Sequence, residues 1–202
     1  KKRFNFTDLD LTDFLPPLQR PKLTANPDYL FLTLLFPVYN RQTRRVRPVE
    51  VDFFIGPNFL ISSSNETLFP LEDFFTRAAS GKKHTASFLS GTPVELLIEI
   101  IERLEKYCHP MLVHVADDIE KVEAQIFLEN KKDTLKVINE MLLIKTNIVN
   151  FRKAMNRHAA MFQKLSAKLA GFFPQTDCAA GLKNLVDRAE DTWSLLEEYT
   201  ST

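Results

Sequence analysis

Apolar residues recur every three to four positions through the second half of the chain and alternate at shorter intervals through the first. Thr92-Pro93-Val94-Glu95 is a capping box with proline at the first helical position, and it opens a long helix. That helix carries Val94, Leu97, Ile98, Ile101, Leu104, Cys108, Met111 and Val115, then Ile119, Val122 and Ile126, as a single apolar stripe. Running to about residue 130, it measures on the order of 55 Å at 1.5 Å per residue, with a kink expected at Pro110. After Asn130-Lys131-Lys132-Asp133 a second helix carries Leu135, Ile138, Met141, Leu142, Val149, Phe162, Leu165 and Leu169 and closes near Gly171 and Pro174. A third carries Leu182, Leu185, Val186, Ala189, Trp193 and Leu196. A small neighbouring unit cannot cover three such helices, so they must pack on one another and on other subunits.

Short elements fill the first ninety residues. Thr7 or Asp8 can cap a short helix through Leu15, which Pro16-Pro17 ends by withdrawing donors. Leu23 to Ala25 and Tyr29 to Phe36 read as a strand pair around the Asn26-Pro27-Asp28 turn. Val49, Val51, Phe53 and Ile55 alternate with Glu50, Asp52 and Phe54 in the pattern of a half-buried strand. Gly56-Pro57-Asn58 turns the chain into a strand from Phe59 to Ser63. A helix from about Leu68 to Ala79 follows, with Leu71, Phe74 and Phe75 on one face, and Ser80 to Gly91 is a polar loop.

Composition narrows the class. The chain has 202 residues, 45% hydrophobic and 26% charged, with Lys+Arg 26 against Asp+Glu 26. Zero net charge gives no global attraction to nucleic acid, so no nucleic-acid partner is expected. Cys108 and Cys178 are too few for a disulfide framework and read as buried thiols in a reducing compartment. The longest apolar run, Tyr29 to Val38, is far short of the roughly 20 residues of a spanning helix.

Candidate chemistry for catalysis is absent from the pattern. His84, His109, His114 and His158 are scattered, and the five-residue step from His109 to His114 is not the same-face spacing of a metal pair. Asp8, Asp10 and Asp13 lack the glycine and terminal glutamate of a calcium loop. Five glycines in no phosphate-cradling arrangement, and no nucleophile elbow, argue against nucleotide and acyl-transfer chemistry. Arg41, Arg44, Arg45 and Arg47 beside Tyr39 fit either a cluster that meets phosphates or lipid headgroups or, as the favoured reading, a solvated hairpin.

Several strings in this order resemble the cytoplasmic domain of the CorA family of divalent-cation transporters. They are Leu11-Thr12-Asp13-Phe14-Leu15, Gln19-Arg20-Pro21-Lys22, Tyr29-Leu30-Phe31-Leu32, Val51 through Ile61, Tyr107-Cys108-His109-Pro110 and Asp118-Ile119-Glu120-Lys121-Val122-Glu123. The resemblance implies an α+β fold: a partial α/β/α sandwich over residues 1–91, truncated at its start, then a long-helix region over 92–202 that forms an antiparallel helical hairpin and a stalk helix. It also implies a homopentamer on the cytoplasmic side of the inner membrane, joined to the bilayer through a C-terminal transmembrane region. The family's Gly-Met-Asn marker is expected beyond residue 202.

In the family, an acidic residue of the short helix faces an acidic residue on the neighbouring subunit's stalk, and Mg²⁺ between them holds the pore closed. Asp13 falls on the first position, while the second holds Asn184, with Asp187 and Asp191 following. Asn184, Asp187 and Asp191, spaced three and four apart, form one oxygen-rich stripe suited to a Mg²⁺ that keeps its waters, though the same stripe fits a solvated helix face. The reading is therefore a sensing and gating domain, with no enzymatic turnover. A zinc-transporting ZntB-like domain and a free-standing helical scaffold are the alternatives.

Overall fold

In the computed structural model, residues 4–13, 20–80, 91–128, 134–174 and 178–201 are described. Four strands, β1 (Lys22–Ala25), β2 (Leu30–Asn40), β3 (Arg45–Gly56) and β4 (Phe59–Ser64), form an antiparallel sheet in the order β1-β2-β3-β4. Leu32 sits opposite Leu23 on one side and Phe53 on the other. The β1–β2 turn is closed by Asn26 N donating to Tyr29 O at 2.9 Å, as its Asn-Pro-Asp sequence predicts. At the β3–β4 turn, a Cβ on Gly56 would run into the Phe59 ring, so a larger residue there must displace that ring.

β3 departs from the half-buried expectation, because both of its faces are covered. Val49, Val51, Phe53 and Ile55 face the helices, yet Glu50, Asp52 and Phe54 are buried too. Asp52 is compensated by a 2.6 Å hydrogen bond from Thr33 Oγ1 across the strand pair. On that second face Phe6 stacks on Phe54 and meets Tyr29 edge-on, drawing the N-terminal segment onto the sheet.

Helix α1 (Asp8–Asp13) starts after Thr7, whose Oγ1 accepts from Asp10 N. Helix α2 (Phe69–Ala79) buries Leu71 and Phe74, but Phe75 points outward and is half exposed, contrary to the one-face reading. Residues 81–90, most of the expected polar loop, lie outside the described residues.

The capping box forms as written. Thr92 N donates to Glu95 Oε2 at 2.6 Å and Glu95 N donates to Thr92 Oγ1 at 3.2 Å, starting α3 (Pro93–Leu128). This 36-residue helix is continuous through Pro110. The predicted second helix is two, α4 (Thr134–Met155) and α5 (His158–Phe172), separated at Arg157, which adopts φ 70 in the left-handed region. The third is α6 (Ala179–Ser201). Cys108 of α3 touches Met155 of α4, and Arg44 bridges Asp118 of α3 to Glu140 of α4, so the two helices run antiparallel.

One buried cluster runs from the sheet (Leu32, Phe36, Val51, Phe53) through α3 (Leu97, Leu104, Cys108), α4 (Phe151), α5 (Phe162, Leu165) and α6 (Leu182, Leu185, Leu196). The apolar residues expected for the start of α4 are not its core. Leu135, Ile138, Met141, Leu142 and Val149 are exposed, while Val137, Ile144, Ile148 and Phe151 face inward. Cys108 is buried and Cys178 half-buried. Among the described residues no helix is long and apolar enough to cross a membrane.

Candidate functional site

α6 is amphipathic, and its inward face is Leu182, Leu185, Ala189 and Leu196. Residues at other phases of the same helix must face away from that contact. Asn184, Asp187 and Asp191 do so: all three are exposed, spaced along the outer side of the helix as the sequence predicts. Asp13 is the last residue of α1, and its side chain lies outside the described residues. Among the described residues, no three or more His, Cys, Asp and Glu side chains come together as a metal-binding group. Two exposed carboxylates and an amide oxygen on one helix do not by themselves make up a metal site.

Helix α6 is fixed in place by α4. Arg152 donates to Thr200 Oγ1 at 2.8 Å and lies 4.9 Å over the Trp193 ring, while Trp193 Nε1 donates to Glu197 at 2.8 Å. The outer stripe is thereby carried on a helix held to the hairpin at its C-terminal end.

Two buried polar nodes escape the sequence reading. His158 Nδ1 lies 2.7 Å from Glu105 Oε1 and Nε2 lies 2.9 Å from Leu35 O, joining α3, α5 and β2 in the interior. Both ring nitrogens are thereby engaged. Glu105 Oε2 is buried without a hydrogen-bond partner among the described residues. Next to it, burial pushes the Cys108 thiol well above its ordinary value, with the nearby Glu105 charge adding to the effect. The signal was present in the pattern: Glu105 interrupts the stripe between Ile101 and Cys108, and His158 stands one helical turn before Phe162. In the second node, Asp10 accepts from Tyr29 Oη at 2.6 Å, Asn26 Nδ2 at 2.8 Å and Thr7 Oγ1 at 2.8 Å, which makes this acidic residue a structural anchor for α1.

The arginine cluster divides. Arg44, at φ 54 in the β2–β3 turn, binds Glu140 through both carboxylate oxygens and reaches Asp118 at 3.3 Å. Its hydrogen bonds to Glu140 lead the effects that raise its pKa. Arg47 pairs with Glu66, and Arg41 and Arg45 remain exposed. Asn147 completes the attachment, accepting from Val46 N at 2.9 Å and donating to Arg44 O at 2.8 Å. Through Arg44 and Asn147 the hairpin tip is a clasp on α3 and α4.

An antiparallel sheet followed by a long helical hairpin and a further long helix is the α+β architecture of CorA soluble domains. The chain belongs to the family described as CorA-like Mg²⁺ transporter protein, whose model matches residues 1–202. Among solved structures it is similar to the soluble domain of CorA from Methanocaldococcus jannaschii, at 17% identity and TM-score 0.72, covering 99% of this chain and 79% of that one. It is also similar to the full-length CmaX protein, at 16% identity and TM-score 0.74, covering 96% of this chain and 57% of that one. A ZntB cytoplasmic domain from Vibrio parahaemolyticus gives 14% identity and TM-score 0.55, covering 98% of this chain and 77% of that one. The chain thus spans little more than half the length of the full-length CmaX protein. No curated protein matches it significantly.

Proposed function

We propose that this chain is the cytoplasmic sensing and gating domain of a Mg²⁺-transporting protein. The observation that carries the reading is the family match over residues 1–202. In the proposed assembly, a homopentamer anchored in the inner membrane by a transmembrane region, Asp13 of one subunit faces the Asn184, Asp187 and Asp191 stripe of the next. Exposure of that stripe on α6 supports an intersubunit role, because its donors are free to meet another molecule. Mg²⁺ held there offsets carboxylate repulsion and favours the closed ring; losing the ion removes that bias. The ligand shifts the gate only by its differential affinity for closed over open. The neutral Asn184 makes the site weaker than an all-carboxylate one.

The family match favours this reading over a free-standing scaffold. Likeness to a ZntB domain keeps zinc as a second cargo, at the lower TM-score of 0.55. The test is metal uptake by cells carrying the full-length transporter, with Mg²⁺, Co²⁺ and Zn²⁺ offered separately. Mg²⁺ entry that is suppressed at high internal Mg²⁺, and less suppressed in Asp187→Ala, is expected. Zinc uptake alone would select the ZntB-like reading, and no uptake of any of the three would overturn both.

A further inference from the structure

Helix α1 has six residues, well short of the roughly 12–15 at which an isolated helix begins to hold in water, so its placement depends on what ties it down. Asp10 is the tie. It is 1% exposed, beside a Leu9 that is 68% exposed. Its Oδ2 accepts from three parts of the chain: Thr7 Oγ1 at the helix start at 2.8 Å, Asn26 Nδ2 in the β1–β2 turn at 2.8 Å, and Tyr29 Oη at the head of β2 at 2.6 Å. The Lys22 ammonium of β1 stands 3.9 Å from its Oδ1. Tyr29 Oη in turn accepts from Thr7 N at 3.0 Å, so backbone and side chain together bind the first turn of α1 to the sheet.

These bonds set the rotation of α1 about its own axis. At 3.6 residues per turn, position 13 falls between the exposed Leu9, about 40° away, and the buried Asp10, about 60° away. Whatever holds Asp10 therefore fixes where Asp13 stands, one turn further on. The same bonds commit Asp10 to the protein's own donors. Tyr29 belongs to a small cluster with Phe31 and Phe54, separate from the main core, so loosening this anchor leaves the packing of the helices intact.

We propose that Asp10 is a positioning residue for the metal site: held by Thr7, Asn26 and Tyr29, it orients α1 so that Asp13 meets the stripe of the next subunit, and its loss weakens Mg²⁺ binding without removing a ligand. The inference rests on the intersubunit reading of Asp13. A supporting residue of this kind acts by holding a ligand in productive geometry.

The test is the Mg²⁺ concentration that gives half-maximal thermal stabilisation of the full-length assembly. Asp10→Ala should raise it about fivefold or more, the low end of a typical coupling between sites. Asn26→Ala removes one donor and keeps the carboxylate; it should shift the half-point less, in the same direction, and serves if Asp10→Ala does not assemble. In an Asp13→Ala background, Asp10→Ala should add less than about twofold, because nothing is left for it to position. Thr92→Ala, which loosens the start of α3, should lower the metal-free midpoint and leave the Mg²⁺ half-point where it was. An equal shift in Thr92→Ala, or one from Asp10→Ala that is undiminished without Asp13, would make the effect one of stability and overturn the role. Half-points unchanged in Asp10→Ala and Asn26→Ala but moved by Asp13→Ala would overturn it and leave the gating site standing. A half-point that Asp13→Ala does not move would overturn both.

Discussion

Glu105 and His158 are polar residues set into apolar stripes, and each is tolerated because the other is there. Removing one partner of this buried hydrogen-bonded pair leaves the other desolvated and unpaired, so His158→Ala should cost about 1–3 kcal/mol. Glu105→Ala should be similarly severe. The double change to alanine should cost well below the sum, since it leaves neither partner stranded. Urea unfolding of the four proteins at neutral pH gives the coupling, and additive losses would refute the pairing. Tyr29 supplies a pH-dependent counterpart. Burial, then its hydrogen bond to Asp10, raises its phenol above the ordinary 10.0. The fold therefore holds that proton longer than the unfolded chain does, so this contribution is whole below pH 10 and is lost as pH rises through the folded value. Tyr29→Phe should be less stable at pH 7, because Asp10 loses a donor, and should show a flatter alkaline decline; an unchanged decline in pH-dependent melts would refute the assignment. Glu105 and Asp10 are visible in the sequence as acids, but only tertiary contact distinguishes a buried anchor from a solvated charge.

At the scale of elements, local signals that carry their own hydrogen bonds were the legible ones. Thr92 and Glu95 satisfy each other's backbone donors whatever the tertiary context, and the helix begins where they say it does. Thr92→Ala should cost about 1 kcal/mol in thermal or urea unfolding, and a loss below a few tenths would mean that the box does not carry the helix start. The break between α4 and α5 was not legible, because neither glycine nor proline marks it. Arg157 occupies the left-handed region at φ 70 where His158 is tied to Glu105 and Leu35, and those bonds outweigh a backbone preference of about 1–2 kcal/mol. Arg157→Gly should therefore be more stable than Arg157→Ala by about 1 kcal/mol. Equal melting temperatures for the two would mean that the left-handed geometry costs nothing. The stripe of α4 was misread for a related reason. Periodicity shows that a helix has apolar sides, but Leu135, Ile138 and Val149 became the uncovered side because Val137, Ile144 and Ile148 match the α3 surface.

At the scale of the molecule, the α+β order of elements could be read from the alternation of β3 and the long periodic helices. The candidate site could be read only in part. Asn184, Asp187 and Asp191 are on the outer side of α6, as their spacing requires, because Leu182, Leu185 and Ala189 claim the inner side. Helical spacing alone favoured a solvated face, because donors spaced along one helix say nothing of what meets them. The central claim is that Mg²⁺ bridges Asp13 and this stripe between subunits. Its most direct measurement is thermal unfolding of the full-length assembly over a Mg²⁺ titration, for the wild type, Asp13→Ala, Asp187→Ala and Asn184→Asp. Mg²⁺ should raise the wild-type midpoint as the ion passes its dissociation constant. Both alanine variants should respond less, and Asn184→Asp should respond at lower Mg²⁺ while starting from a lower metal-free midpoint. Four identical titration curves would contradict the account and leave the stripe a solvated helix face.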